Sequence, residues 1–105
     1  MAAAVVNKHQ LVKRLRESAG PILACGVERL ELFGSFARDE GGPESDVDFL
    51  VRFRPGQKTY DNFLALSALL EELLGHSVEL VTRESLSPYI APSILSEAED
   101  VALRA

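Results

Sequence analysis

Two apolar runs, VERLELF and DVDFLVRF, most constrain what this chain can fold into, because polar residues lie at the end of the first run and at the start of the second. The first run ends at Phe33 and is followed directly by Gly34-Ser35, and the second opens with Asp46 and Asp48. Both runs alternate apolar with charged side chains, which favours β-strands. A carboxylate at the start of a buried strand is costly unless a positive group compensates its charge. The chain itself or a ligand must therefore supply a cation to this aspartate pair.

The other segments predict helices and further strands around these two runs. Asn7 and Gln10 form a capping pattern at the start of a helix that extends towards Gly26, and Gly20-Pro21 is expected to interrupt it. We also expect helical turns in SFARDE, a helix from about Thr59 to Leu74, a strand in HSVELVT, a short helix from Pro88 and a final strand in DVALRA. This order predicts an α/β (α+β) fold in which helices cover a small mixed β-sheet.

Size and composition limit the classes of protein to consider. The 105 residues, 47% hydrophobic and 26% charged, suit a single globular domain over residues 1–105 and argue against disorder. No apolar segment approaches the roughly 20 residues of a membrane-spanning helix, and no signal peptide is expected. Cys25 is the one cysteine, which predicts no disulfide framework and a cytoplasmic location. The net charge of −5 disfavours a nucleic-acid polymer as substrate but allows one nucleotide with its metal ions.

Asp46 and Asp48 are the first candidate metal ligands. Side chains alternate across a strand, so both project from one face, with Cα atoms about 6–7 Å apart. At about 4 Å and an effective dielectric constant of 20, two carboxylates repel by roughly 4 kcal/mol. Mg²⁺ relieves such repulsion, since it takes one or two protein carboxylates and fills its shell with water and phosphate oxygens. Two such ions about 3.5–4 Å apart would suit a phosphoryl transfer.

Glu79 and the Gly34-Ser35 turn complete the predicted site. Glu79 lies in the third predicted strand, on the face opposite its inward-facing residues, where it can bind a metal ion and act as general base on an acceptor hydroxyl. Gly34 and Ser35 offer backbone N–H groups and a hydroxyl to a phosphate at the end of a strand. Arg38, one helical turn later, is expected to reach a phosphate oxygen.

Simpler interpretations stay open for each of these residues. The two aspartates can be solvated residues after a turn, and Glu79 can be an exposed glutamate of a half-buried strand. Gly34-Ser35 can be a plain helix cap, and Arg38 a surface ion-pair partner. His9 and His76 have no second metal ligand nearby in the sequence and are expected at the surface.

Gly34, Ser35, Asp46 and Asp48 have the spacing of the Gly-Ser-x10-Asp-x-Asp signature of the DNA polymerase beta-like nucleotidyltransferase superfamily. LFGSFARDE…SDVDFLV resembles the minimal nucleotidyltransferase (MNT) domains of that superfamily, and RPGQKTYDNFLALSALLEELLGHSVELVT is similar to their next helix and third strand. The likeness covers nearly the whole chain. At two positions the chain departs from the usual pattern of the family that it resembles. Close members usually have Asp at the position of Glu79 and often have Gly at the position of Asp39.

The resemblance implies the polymerase beta-like nucleotidyltransferase fold and Mg²⁺-dependent transfer of a nucleoside monophosphate to a hydroxyl, with ATP or another NTP as donor. Gly34 and Ser35 would hold the triphosphate, and Asp46, Asp48 and Glu79 would bind two Mg²⁺ ions. MNT proteins resembling this one are paired with HEPN-domain toxins, and as antitoxins they transfer AMP to a toxin tyrosine. The expected function is therefore an AMP-transferring antitoxin that binds a HEPN toxin, in a homo- or hetero-oligomer. Two alternatives stay open: a small-molecule nucleotidyltransferase completed by oligomerisation, and a toxin-binding module without catalysis.

Overall fold

A four-stranded mixed β-sheet forms the centre of the computed structural model, which describes residues 3–103. Its strands are β1 (Val27–Phe33), β2 (Val47–Phe53), β3 (Val78–Val81) and β4 (Glu99–Asp100), in the spatial order β3-β2-β1-β4. β2 pairs antiparallel with β1 and parallel with β3, and β4 pairs antiparallel with β1. The predicted mixed sheet covered by helices is confirmed.

Four α-helices lie within residues 3–103: α1 (Lys8–Glu17), α2 (Ala19–Ala24), α3 (Tyr60–Leu74) and α4 (Ala91–Glu97). A 3-10 helix, Arg83–Ser85, follows β3. The Asn7 side chain accepts the N–H of Gln10 at 2.8 Å, as the capping pattern predicts, and Thr59 caps α3 in the same way. None of the helices in this part of the chain combines the length and apolar character needed to cross a membrane.

One face of the sheet forms the core together with α1, α2 and α3. Strand side chains alternate between faces, so β2 presents one apolar set to this core, namely Val47, Phe49, Val51 and Phe53, all buried as predicted. The helices contribute Leu11, Leu15, Ile22, Leu66, Leu70 and Leu74, each with 0% exposure. Burial of one such side chain stabilises the fold by about 1.5–3 kcal/mol. Asp48 projects from the other face of β2, away from this core, and this is the face on which the candidate active site lies.

The break in the first helical segment differs from the prediction. It lies at Ser18, whose backbone leaves the helical conformation, and not at Gly20-Pro21. Pro21 lies in the first turn of α2, where a backbone N–H has no helical partner in any case. The proline therefore fits the start of a new helix directly after Ser18 and does not kink an existing one.

Three further boundaries also differ. SFARDE forms hydrogen-bonded turns without a regular helix, because Asp39 has a left-handed φ of 58° that ends any helical turn. The helix expected from Pro88 begins at Ala91, where Pro92 falls in its first turn. The last strand is confined to Glu99–Asp100.

Candidate active site

The strand register places two of the predicted carboxylates side by side. Asp48 pairs with Glu79 across β2 and β3, and with Phe33 across β2 and β1. Residues paired in this way project from the same face of a sheet. Asp48 and Glu79 therefore both point away from the core, while Asp46 lies just before β2 and is exposed. The structure brings Asp48 and Glu79 together and leaves Asp46 at the edge of the site.

Burial and neighbouring carboxylates disfavour the ionised form of Asp48. Burial contributes most to raising its pKa, and a hydrogen bond with Glu79 adds to it. The negative charges of Glu79, Asp46 and Glu97 act in the same direction, and together these effects raise the pKa of Asp48 to about 6. A positive charge placed here would favour the ionised carboxylate, as a metal site requires.

The two arginines that follow Asp46 and Asp48 in β2 and directly after it form no ion pair with these aspartates. Arg52 Nε lies 2.8 Å from Glu28 Oε2. The Arg54 guanidinium donates to the carbonyl oxygens of Leu23 and Val27, at 3.1 and 3.4 Å. Over residues 3–103, no ion pair joins the three predicted carboxylates to a basic side chain. The compensating charge is thus not supplied by the described part of the chain.

Asp46, Asp48 and Glu79 carry the type of ligand atom that a divalent cation binds, although their carboxylate groups do not surround a common position. Within residues 3–103, no group of three or more His, Cys, Asp and Glu side chains is close enough to hold a metal ion. Asp46 and Glu79 are exposed and hence free to rotate towards Asp48. Mg²⁺ prefers oxygen ligands and takes one or two protein carboxylates, which this set of three can supply, together with water and phosphate oxygens. We therefore regard these residues as fitting Mg²⁺.

Gly34 lies against Asp48 in a space that admits no side chain. Its φ is +79°, and a Cβ added there would lie 2.2 Å from Asp48 Oδ2. Glycine is thus required both by the left-handed backbone and by the close approach. Ser35 is the next residue of the turn, and its carbonyl accepts the N–H of Glu40 at 2.8 Å. The role of the Ser35 hydroxyl towards phosphate stays a prediction.

Phe36 holds this turn onto the core. Its side chain is 1% exposed, and its ring meets the His76 ring edge to face with centroids 5.0 Å apart. Gly41 packs so closely on it that an added Cβ would lie 2.5 Å from the Phe36 ring. The segment between β1 and β2 is therefore folded around one aromatic anchor.

His76 joins the same cluster, so the surface position predicted for it is wrong. It is 8% exposed, and its ring nitrogens lie 3.0 Å from the Ser45 carbonyl oxygen and 2.8 Å from that of Val5. These two carbonyl groups come from distant parts of the chain. Hydrogen bonding to them offsets the free energy lost when a polar ring is removed from water. His76 thereby supports the backbone directly before Asp46. His9, in contrast, is exposed as predicted.

Glu97, at the end of α4, binds two donors that were predicted to contact phosphate, the Gly34 N–H and the Arg38 guanidinium. The Gly34 N–H donates to Glu97 Oε2 at 3.2 Å, and Arg38 Nη1 donates to Glu97 Oε1. Arg38 also lies 3.4 Å from Glu40 Oε1. Burial raises the pKa of Glu97, but the hydrogen bonds from Arg38 and Gly34 outweigh it and lower the pKa below its usual value. Glu97 is thus an ionised carboxylate seated on the Gly34 turn.

Sequence reasoning missed Glu97. It is separated from Gly34 by 63 positions, and the short helix that carries it shows no motif. Asp39, where the resemblance leads us to expect Gly, has a left-handed φ of 58°, a conformation that glycine adopts readily. Its Oδ1 accepts the N–H of Lys8 at 3.0 Å, so this aspartate keeps the turn and ties it to α1.

The sequence of this chain is similar to those of known proteins. The nucleotidyltransferase domain family matches residues 9–101. A Methanocaldococcus jannaschii protein named "Putative protein adenylyltransferase" is 42% identical over 80 residues, which cover 76% of this chain and 85% of the relative. "Protein adenylyltransferase MntA" of Thermococcus cleftensis is 42% identical over 72 residues, which cover 69% of this chain and 72% of the relative.

Solved structures show the same fold. One described as "Structure of putative minimal nucleotidyltransferase" superposes with a TM-score of 0.77 at 35% identity, covering 92% of this chain and 98% of that chain. A toxin–antitoxin crystal structure with AMP-PNP superposes with a TM-score of 0.61 at 22% identity, covering 90% of this chain and 72% of that chain, and shares the fold. By sequence and by structure, this chain belongs to the nucleotidyltransferase domain family.

Proposed function

We propose that this protein is a Mg²⁺-dependent protein adenylyltransferase that transfers AMP from ATP to a tyrosine of a HEPN-domain toxin and so acts as its antitoxin. The observation that carries the proposal is the pairing of Asp48 with Glu79 directly beside the Gly34 turn. Relatives named protein adenylyltransferase support the donor and the acceptor class. A toxin–antitoxin complex of the same fold supports the partner. A cytoplasmic location and a hetero-oligomer with the toxin are part of the proposal.

The site residues divide into two groups by the part of the substrate that they would contact. Gly34 and Ser35 would donate hydrogen bonds to the triphosphate of ATP, and Arg38 would add a charged contact. Asp46, Asp48 and Glu79 would hold Mg²⁺, which when bound would supply positive charge to the phosphate oxygens and so lower the barrier to displacement of pyrophosphate.

The proposed transfer forms one bond and breaks one. Glu79 accepts the proton of the acceptor phenol while the phenol oxygen forms a bond to the α-phosphorus of ATP. The bond from the α-phosphorus to the oxygen bridging to the β-phosphate breaks, and pyrophosphate leaves with the electron pair. The products are a tyrosine-bound AMP and pyrophosphate.

The test uses the full chain, Mg²⁺, ATP labelled on the α-phosphate and the protein encoded by the adjacent gene. We expect label on a tyrosine of that protein, and about 100-fold less label with Asp46→Asn, because one charge-stabilising group is lost. Glu44→Gln, an exposed change in the same segment, is the matched control and should retain full transfer. ATP labelled on the γ-phosphate should transfer no label.

Other results would contradict the proposal and identify a different function. Label from the γ-phosphate would indicate a kinase. Label on a small hydroxyl compound but not on the toxin would indicate a small-molecule nucleotidyltransferase. Tight toxin binding without any label, equal for the parent protein and Asp46→Asn, would indicate a binding module.

A further inference from the structure

Glu97 raises a question that the proposed mechanism does not answer. Its two carboxylate oxygens bind two different donors, the backbone N–H of Gly34 and the guanidinium of Arg38. Both donors belong to the turn that would receive the triphosphate. The Glu97 side chain is 25% exposed, so it lies partly enclosed between α4 and the turn and is not simply in solvent.

The carboxylate and a phosphate cannot both accept a strong hydrogen bond from the Gly34 N–H. A backbone N–H makes one strong hydrogen bond, and the Gly34 N–H already points at Glu97. A triphosphate placed at Gly34 would also stand against the negative charge of Glu97, which repels it. Phosphate binding by the Gly34 N–H and the hydrogen bond from that N–H to Glu97 therefore exclude each other.

We infer that Glu97 is a built-in competitor for the triphosphate, which occupies the Gly34–Arg38 donors in the free protein and must be displaced when nucleotide binds. The inference rests on the proposed role of Gly34 and Arg38 in binding ATP. It assigns Glu97 a role in setting nucleotide affinity, as a residue that contacts the site in the free state only.

The attachment of α4 suits such a displacement. α4 has seven residues, none of which is fully buried, and β4 after it has two residues. Little apolar surface is therefore lost if the end of α4 moves or the Glu97 side chain swings away. The Gly34 turn, by contrast, is anchored by the buried Phe36 and should stay in place.

Removing the charge of Glu97 should strengthen nucleotide binding. Apparent affinity falls in proportion to the fraction of protein whose site is open. If Glu97 occupies the donors most of the time, Glu97→Gln should lower the dissociation constant for Mg²⁺-ATP by about three- to tenfold. The measurement is isothermal titration calorimetry on the full chain. Glu97→Ala serves as a second variant, and thermal melting checks that both are folded.

Glu99→Gln is the matched control. It makes the same change of charge two residues further along, but Glu99 Oε2 bonds Lys8 Nζ at 2.5 Å on α1 and has no bond to the Gly34 turn. We expect its dissociation constant to stay within about twofold of the parent value. Equal gains from both variants would mean a general effect of net charge and would overturn the inference.

The Gly34 amide resonance in NMR gives a readout that needs no catalysis. It should differ between the parent protein and Glu97→Gln before ATP is added, and should stay unchanged in Glu99→Gln. Adding Mg²⁺-ATP to the parent protein should move the same resonance. A Gly34 resonance insensitive to Glu97→Gln would overturn the inference.

Failure of the inference and failure of the proposed function give different results. If the parent protein and Glu97→Gln bind Mg²⁺-ATP equally and AMP transfer proceeds, Glu97 is not a competitor while the function stands. Weaker binding by Glu97→Gln would mean that Glu97 orients Arg38 for phosphate, which also overturns the inference. If neither protein binds Mg²⁺-ATP, both are wrong.

Discussion

At the scale of single residues, the contact between Gly34 and Asp48 links backbone conformation to chemistry. Asp48 can lie beside the turn only because residue 34 has no side chain, and the same glycine directs its N–H outwards at a φ of +79°. The absence of a Cβ at residue 34 thus allows the carboxylate proposed to bind metal and the amide proposed to bind phosphate to be neighbours.

Gly34→Ala should therefore displace Asp48 and reduce AMP transfer by about 100-fold, the loss expected for a misplacement of about 1 Å. Gly56→Ala is a matched control, because Gly56 has a φ of +78° but nothing within 4 Å of an added Cβ. The control reports the cost of the left-handed backbone alone, roughly 1–2 kcal/mol of unfolding free energy. Urea unfolding and the AMP-transfer assay measure the two effects, and equal behaviour of both variants would contradict the predicted clash.

At the scale of elements, the segment between β1 and β2 behaves as one unit built on Phe36. This side chain is inserted between the turn, Gly41 and the His76 ring, so the position of the turn depends on packing below it. The site is consequently attached to the core through an aromatic contact and not only through its two flanking strands.

Phe36→Ala should lower the free energy of unfolding by about 3–5 kcal/mol, since it leaves a cavity under the turn. Phe63→Ala, on the half-buried side of α3, should cost less. Phe36→Leu should retain most of the stability yet lose AMP transfer, because a smaller aliphatic side chain cannot hold the turn in one position. Urea unfolding together with the transfer assay checks this, and full activity of Phe36→Leu would show that the turn is positioned by other contacts.

At the scale of the whole molecule, the crowded carboxylates reduce stability in the absence of metal. In the folded protein the pKa of Asp48 is raised to about 6 from the usual 3.8. The ionised form is therefore disfavoured by folding, and this group's contribution to stability is complete below about pH 4 and is lost as the pH rises through 6.

Asp48→Asn should consequently stabilise the metal-free protein above pH 6, and the gain should vanish by about pH 4. After allowance for solvent screening of a partly exposed group, we expect about 1 kcal/mol at pH 7.5. Mg²⁺ alone should raise the melting temperature of the parent protein at that pH and leave Asp48→Asn unchanged. Urea and thermal unfolding at pH 4, 6 and 7.5 test this, with Glu44→Gln as control. A loss of stability in metal-free Asp48→Asn would mean that this carboxylate is structural.

Several features were predictable because they depend on neighbours in the chain. Alternation of apolar residues specified β1 and β2, a capping pattern specified the start of α1, and helical spacing of apolar residues specified α3. The Gly-Ser and Asp-x-Asp spacing indicated the family. The period of a strand also predicted that Glu79 and Asp48 lie on the face of the sheet that points away from the core. The β2–β3 register then pairs these two residues side by side. Local patterns suffice here because each is read over a few residues.

The amino-acid sequence by itself thus indicated β1, β2 and β3, the N-cap of α1 and the residue types of the candidate site. Only the tertiary structure placed Glu97 on the Gly34 N–H, enclosed His76 between two carbonyl oxygens and gave Asp48 its raised pKa. Each of these depends on groups from distant parts of the chain. Their distances, burial and charge are set by how the elements pack and by no pattern along the sequence.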